Sequence, residues 1–257
     1  MLGLELDRLK ALARSAVNDP TQFMRTRRDV ACPICGFVGR FYSTGYRPIR
    51  QDARCTKCSS VERHRLLWLA LHPGGRFVLA GKDVLHFAPE AFMRTAAAHM
   101  RSYTTADFLP WRGVDLKIDI CNIGGPDRSY DVVMANHVLE HVADDNKAMR
   151  EVRRVLRPSG LFIVTVPQAP GWEHTFEDPA IISPADRTAY FEQWDHVRLY
   201  GRDIGDRLRN AGFHVDTFQA SPHDEVRHGL LKGETVYFAY RQDDPRIATE
   251  PVPADRT

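Results

Sequence analysis

Beyond residue 82 the chain alternates short apolar runs with stretches whose apolar residues recur at helical spacing, the pattern of β-α units around a parallel sheet. The runs predict strands at Asp83 to Phe87, Ser102 to Ala106, Asp115 to Ile118, Tyr130 to Ala135 and Leu161 to Val166. Val132-Val133-Met134 and Phe162-Ile163-Val164 are nearly continuous, as strands covered on both faces should be, and belong mid-sheet. Between them, Ala148, Met149, Val152, Val155 and Leu156 recur at helical period, with Arg150, Glu151, Arg153 and Arg154 outside. Pro158 and Gly160 are expected to stop that helix and release the next strand. A further helix near Asp203 to Asn210 precedes strands at Phe213 to Phe218 and Thr235 to Tyr240.

Upstream the periodicity breaks. Residues 1–28 read as an N-terminal helical segment and 29–60 as a small cysteine-bearing module. Ser59 and Glu62 form an S-x-x-E capping box ahead of Leu66, Leu67, Trp68, Leu69 and Leu71, which predicts a connecting helix within 61–81. Residues 82–241 make the main domain, and the proline-bearing stretch 242–257 a loose tail.

Composition is that of an ordinary globular protein, with 43% hydrophobic and 26% charged residues. No apolar run approaches the roughly 20 residues that span a bilayer, and the acidic and basic residues among the first leucines argue against a secretion signal. A cytoplasmic protein without a membrane partner is expected. The net charge of +2 hides an asymmetry, because ten Lys or Arg against three acids give Met24 to Leu66 about +7.

Four of the five cysteines form two C-x2-C knuckles, Cys32-Pro33-Ile34-Cys35 and Cys55-Thr56-Lys57-Cys58. Each knuckle folds back to present two thiolates at adjacent corners of a tetrahedron, so the spacing predicts a four-cysteine zinc ribbon. Four protein ligands leave no open position, which makes the zinc structural. His64, just after the cysteines, is read as a surface or interface residue, and Cys121 as a free thiol.

Tyr130-Asp131-Val132-Val133, then His137-Val138-Leu139-Glu140-His141-Val142, then Arg154-Val155-Leu156-Arg157-Pro158-Ser159-Gly160 resemble, in that order, the class I methyltransferases of the small-molecule type. The resemblance covers about residues 82 to 240. It implies a Rossmann-like, seven-stranded, mostly parallel sheet whose last two strands form a hairpin with one antiparallel member. It also implies S-adenosylmethionine bound across the carboxyl ends of the first strands. Where such enzymes carry Gly-x-Gly, this chain reads His86-Phe87-Ala88-Pro89-Glu90. His86, Ala88 and Glu90 are the loop's cofactor candidates, Glu90 for the methionine ammonium. The resemblance places Asp107 on the ribose hydroxyls, Asp119 on the adenine amine with Ile120 as a wall, and Asn136 and His137 near the methyl donor. His141 is read as a packing residue.

The segment 167–200 is long for a connector and rich in aromatic and titratable groups, and is read as a cap over the acceptor pocket. His196, preceded by Asp195, and His174 are candidate general bases alongside His137, because methylating a hydroxyl requires removing its proton. Methyl transfer to an oxygen or nitrogen of a small metabolite or saccharide is the leading expectation. An RNA methyltransferase gripping phosphate through the basic ribbon, and a non-catalytic cofactor-binding protein, are the alternatives.

Overall fold

In a computed structural model describing residues 10, 12–23, 29–45, 49–109, 113–241 and 243, the chain divides into two units. One comprises residues 1–78 with 219–234, the other 79–218 with 235–257.

The second unit is built on strands β5 (Asp83–Phe87), β6 (Ser102–Asp107), β7 (Leu116–Lys117), β8 (Tyr130–Asn136), β9 (Leu156–Thr165), β10 (Phe213–Gln219) and β11 (Thr235–Arg241). Their order across the sheet is β10-β11-β9-β8-β5-β6-β7, with β5 to β9 parallel and β11 antiparallel to β9. The expected seven-stranded, mostly parallel sheet is therefore present. Val132, Val133, Phe162, Ile163 and Val164 are buried, as strands covered on both faces require. Helix α4 (Asp145–Val155) lays Ala148, Met149, Val152 and Val155 on the core. Its first turn is capped by the Asp144 carboxylate, which accepts from the Lys147 N–H at 2.8 Å.

Two details differ from expectation. Strand β9 begins at Leu156, directly from α4, and its register with β8 jumps between Tyr130↔Leu156 and Val132↔Leu161. Pro158 and Gly160 thus occupy a bulge inside the strand and not a helix-ending loop; a Cβ on Gly160 would lie 2.8 Å from the Arg157 carbonyl oxygen. Strand β7 is shorter than Asp115 to Ile118. The Asp115 carboxylate is drawn to the N–H and hydroxyl of Thr105 at 2.8 and 2.7 Å, which take it out of the ladder and hold its pKa low.

The first unit carries hairpins β1 (Val30–Ala31) with β2 (Val38–Gly39), and β3 (Tyr42–Thr44) with β4 (Arg50–Arg54). Val30, Cys32, Phe41 and Cys55 form its small core, with Phe37 packed against it. Helix α2 (Glu62–Leu71) follows. The capping box expected at Ser59 is not used: the N-cap is Val61, and Ser59 sits at φ 61° closing the second knuckle with an N–H bond to the Cys55 carbonyl. Of the N-terminal segment 1–28, residues 12–18 form a helix, α1, and Pro20–Phe23 a 3-10 turn; residues 1–9, 11 and 24–28, and the tail other than Asp243, lie outside the described residues.

Residues 219–234, which fall by number inside the 82–241 domain, fold into the first unit as helix α7 (Pro222–His228). The fully buried Arg65 of α2 makes that attachment. Its guanidinium donates to the carbonyls of His228 and Gly229 at the end of α7 and of Ala53 and Ser60, at 2.6 to 2.9 Å, and lies over the Phe41 ring. Those carbonyls at the helix C-terminus have no partners within the helix itself. No helix among the described residues is long and apolar enough to cross a membrane.

Candidate functional site

Chemistry-bearing side chains gather at two places. In the first unit, the two knuckles close identically: the Cys32 N–H bonds the Phe37 carbonyl and Gly36 turns back on Cys32, while the Cys55 N–H bonds Ser60 and Ser59 turns back on Cys55. Gly36 and Ser59 hold matching left-handed φ values of 70° and 61°. The Cys32 and Cys58 sulfurs lie 3.6 Å apart and those of Cys35 and Cys55 3.7 Å, all four mutually within 4.8 Å. A tetrahedral zinc with bonds of about 2.3 Å sets its sulfurs about 3.8 Å apart, so this donor set fits the ion. The Ser60 hydroxyl, 3.4 Å from Cys32 Sγ and 3.2 Å from Cys58 Sγ, supports the sulfurs from outside. Hydrogen bonds from Cys55 and Cys58 pull the Cys32 thiol far down. His64 stands apart; its Nδ1 accepts the Val61 N–H at 3.4 Å at the start of α2.

In the second unit the parallel register aligns the carboxyl ends of three strands. Phe87 pairs with both Ala106 and Ala135, so Ala88, Asp107 and Asn136 leave the sheet side by side. Open α/β sheets bind ligands at this edge. Ala88 adopts φ 48°, the conformation a glycine usually supplies, while its N–H bonds the Ala106 carbonyl at 2.8 Å. The buried Asp107 carboxylate is oriented by the Leu109 N–H at 2.9 Å. His86 is fully buried between the Tyr103 hydroxyl at 2.8 Å and the Glu90 carboxylate at 2.9 Å, so it positions Glu90. Burial pushes the Tyr103 hydroxyl pKa up. Asp119 is exposed and closes a turn onto the Cys121 N–H at 2.8 Å, while Ile120 is buried beside it. Cys121 is a free thiol, its pKa pushed up to about 11 by burial and by Asp119 and Asp144.

At the exit of β8, His137 also adopts a left-handed φ of 53°. The Asn136 Nδ2 and His137 Nε2 atoms are buried without a hydrogen-bond partner among the described residues, as is Glu140 Oε2. His137 Nδ1 lies 3.3 Å from Glu140. The segment 167–200 contains helix α5 (Pro184–Phe191) and folds back so that the Val197 N–H bonds the Glu140 carbonyl at 2.8 Å. Arg198 ties it to the carbonyls of Leu139 at 2.8 Å, Ala143 at 2.9 Å and Val142. His196 is thereby buried with its ring edge-on to His141 at 4.7 Å, and burial lowers its pKa. His174 stands outside this group, exposed, with its backbone against Gly201. Glu140 was not a candidate from sequence, although the spacing His137-x-x-Glu140-His141 places three titratable groups on one tight turn.

Residues 83–164, from the start of β5 to the penultimate residue of β9, match the profile of the family described as "Methyltransferase domain". A probable S-adenosylmethionine-dependent methyltransferase of Mycobacterium tuberculosis is 39% identical over 74 residues, 28% of this chain and 24% of that protein. A reducing polyketide synthase of Preussia isomera is 30% identical over 125 residues, 42% of this chain and 5% of the synthase. This chain thus aligns with a quarter or less of either relative's length. An S-adenosylmethionine-dependent methyltransferase from Mesorhizobium loti superposes with a TM-score of 0.48 at 18% identity, covering 68% of this chain and 97% of that one.

Proposed function

We propose, from the premise that residues 83–164 are a methyltransferase domain, that this chain transfers a methyl group from S-adenosylmethionine to an oxygen or nitrogen of a small metabolite or saccharide. The observation that carries the reading is the alignment of Ala88, Asp107 and Asn136 at one sheet edge, next to the buried, unpartnered Asn136 Nδ2 and His137 Nε2. Buried polar groups are ordinarily satisfied, and these call for a polar ligand.

When bound, the cofactor's sulfonium supplies an electrophilic methyl group. Asp107, fixed by Leu109, offers its carboxylate to a pair of vicinal hydroxyls, and Glu90, held by His86, offers charge to an ammonium. Ala88 keeps the backbone of the turn open to close approach, and Asp119 with Ile120 would flank the adenine. His137 and the cap bring groups that can take a proton from an acceptor hydroxyl. His196 suits this chemistry because burial lowers its pKa and its Nδ1–H donates to the Phe191 carbonyl at 2.9 Å, which leaves the lone pair on Nε2. In the first unit, Cys32, Cys35, Cys55 and Cys58 would hold a structural zinc, which a reducing cytosol would leave undisturbed.

The phosphate-gripping alternative is weakened by where its basic residues go. Arg65 is buried, Arg54 is half-buried on the Ser59 carbonyl and Arg50 pairs with Glu62 at 3.5 Å, so that of the described ones only Arg40 and Lys57 are exposed, with Arg63 half-buried; Arg25, Arg27, Arg28 and Arg47 lie outside the described residues. Calorimetry with S-adenosylmethionine tests the reading. Binding should be measurable, and Asp107→Ala should weaken it by about 1.5 to 3 kcal/mol, the scale of hydrogen bonds to a charged group. No binding by the folded wild-type chain would refute methyl transfer, and an unchanged affinity in the variant would remove Asp107 from the site.

A further inference from the structure

We propose that Glu140, His141 and His196 form a second metal site, distinct from the cysteine cluster, which takes a divalent cation at the exit of β8 and presents it to the acceptor. The ligand atoms of these three residues already lie within 4.8 Å of one another. An ion with bonds of about 2.1 Å sets its ligand atoms roughly 3 to 3.5 Å apart, so each side chain need move by only about 1 Å.

Three features show that the cluster is built for a ligand. Glu140 is 1% exposed and its Oε2 has no hydrogen-bond partner. A carboxylate so placed is costly to bury unless a cation or donor meets it, and among the described residues the basic side chain paired with it is His137 at 3.3 Å. The Nδ1–H of His196 is committed to the Phe191 carbonyl, which leaves the lone pair on Nε2. His141 Nδ1 faces the Asp195 carboxylate at 3.4 Å. Carbonyl and carboxylate partners of this kind orient and strengthen metal-binding imidazoles. Finally, the two elements that bring the ligands are fixed to each other by the Val197 bond to Glu140 and by Arg198 on three carbonyls of the 139–143 turn. The site is therefore assembled by the fold before any ion arrives.

Two imidazoles and one carboxylate suit Mn²⁺, Fe²⁺, Co²⁺ or Zn²⁺, and three protein ligands leave positions open. The role of the ion, though not its binding, rests on the methyl-transfer reading. An acceptor hydroxyl coordinated there is acidified; its O–H bond breaks with the proton passing to His137, an O–CH₃ bond forms, and the C–S bond of the donor breaks to release the neutral thioether. His196 then acts as a ligand, and not as the base.

Mn²⁺ is the appropriate probe, because it binds weakly to thiolates and leaves the ribbon undisturbed. The whole chain is titrated with Mn²⁺ while the free ion is followed by electron paramagnetic resonance, and elemental analysis counts the ions already bound. The expected total is one ion beyond that of the cysteine cluster, with Mn²⁺ affinity falling at least tenfold in Glu140→Gln and in the less buried His141→Gln. Two variants guard against one failing to fold. Mn²⁺ staying free, with no ion beyond the ribbon's, overturns the site, as does undiminished binding in both folded variants. S-adenosylmethionine affinity measured on the same samples separates the two ideas: cofactor binding without the extra ion refutes the metal site alone, and the extra ion without cofactor binding refutes methyl transfer while the site stands.

Discussion

Ala88 stands where the sheet edge demands a left-handed backbone, and an L-residue there costs roughly 1 to 2 kcal/mol relative to right-handed conformations. Glycine would remove that strain but would add about 0.4 to 1 kcal/mol of unfolded-state entropy. Ala88→Gly should therefore stabilise the second unit by about 0.5 to 1 kcal/mol, read as a rise in denaturation midpoint at unchanged slope. A midpoint that falls would mean that the methyl group of Ala88 contributes packing that outweighs the strain. Ala88 thus holds, as an L-residue, a conformation that glycine ordinarily supplies. His137 repeats the pattern at the exit of β8 with φ 53°, and strain of this kind tends to gather at functional edges.

At the scale of elements, Arg65 is a single side chain that joins three of them. It satisfies the carbonyls at the end of α7, that of Ala53 within β4 and that of Ser60, all from α2. A lysine carries the same charge but has neither the planar fork nor enough directed donors to reach four carbonyls. Arg65→Lys should destabilise the first unit by about 2 to 4 kcal/mol, since it leaves buried carbonyls unsatisfied. Hydrogen exchange should localise the loss to residues 219–234 and 50–60. Exchange in those segments that matches the wild type would show that α7 is held by packing alone. Close backbone approach ties elements together at Gly201 as well, where a Cβ would lie 2.5 Å from the His174 backbone.

For the whole molecule, the structural zinc proposed for the four cysteines makes metal removal the sharpest perturbation. The described core of the ribbon is Val30, Cys32, Phe41 and Cys55 with a few partly buried neighbours, too little apolar surface to fold unaided. Chelation should abolish structure from about Val30 to Ser60, because metal binding and folding are coupled in such modules, while the sheet unit keeps its exchange protection. Protection of residues 30–60 that persists after the zinc is gone would show that the hairpins stand without it.

The sequence alone settled what depends on local pattern. Apolar periodicity placed the strands and α4, paired knuckle spacing found the four cysteines, and the order of motifs from β8 onward pointed to the family whose profile residues 83–164 match. It misjudged points where distant partners compete for a residue. Ser59 looks like a cap, yet the knuckle claims it; Pro158 and Gly160 look like a helix stop, yet pairing with β8 absorbs them into a bulge. Residues 219–234 gave no local sign that Arg65, more than 150 positions earlier, would hold them. Glu140 and His196 stand 56 positions apart and meet where Arg198 and Val197 fasten the segment 167–200 to the turn after β8. Local spacing is written in the chain, whereas such meetings depend on side chains finding partners across the fold, and tertiary packing alone decides them.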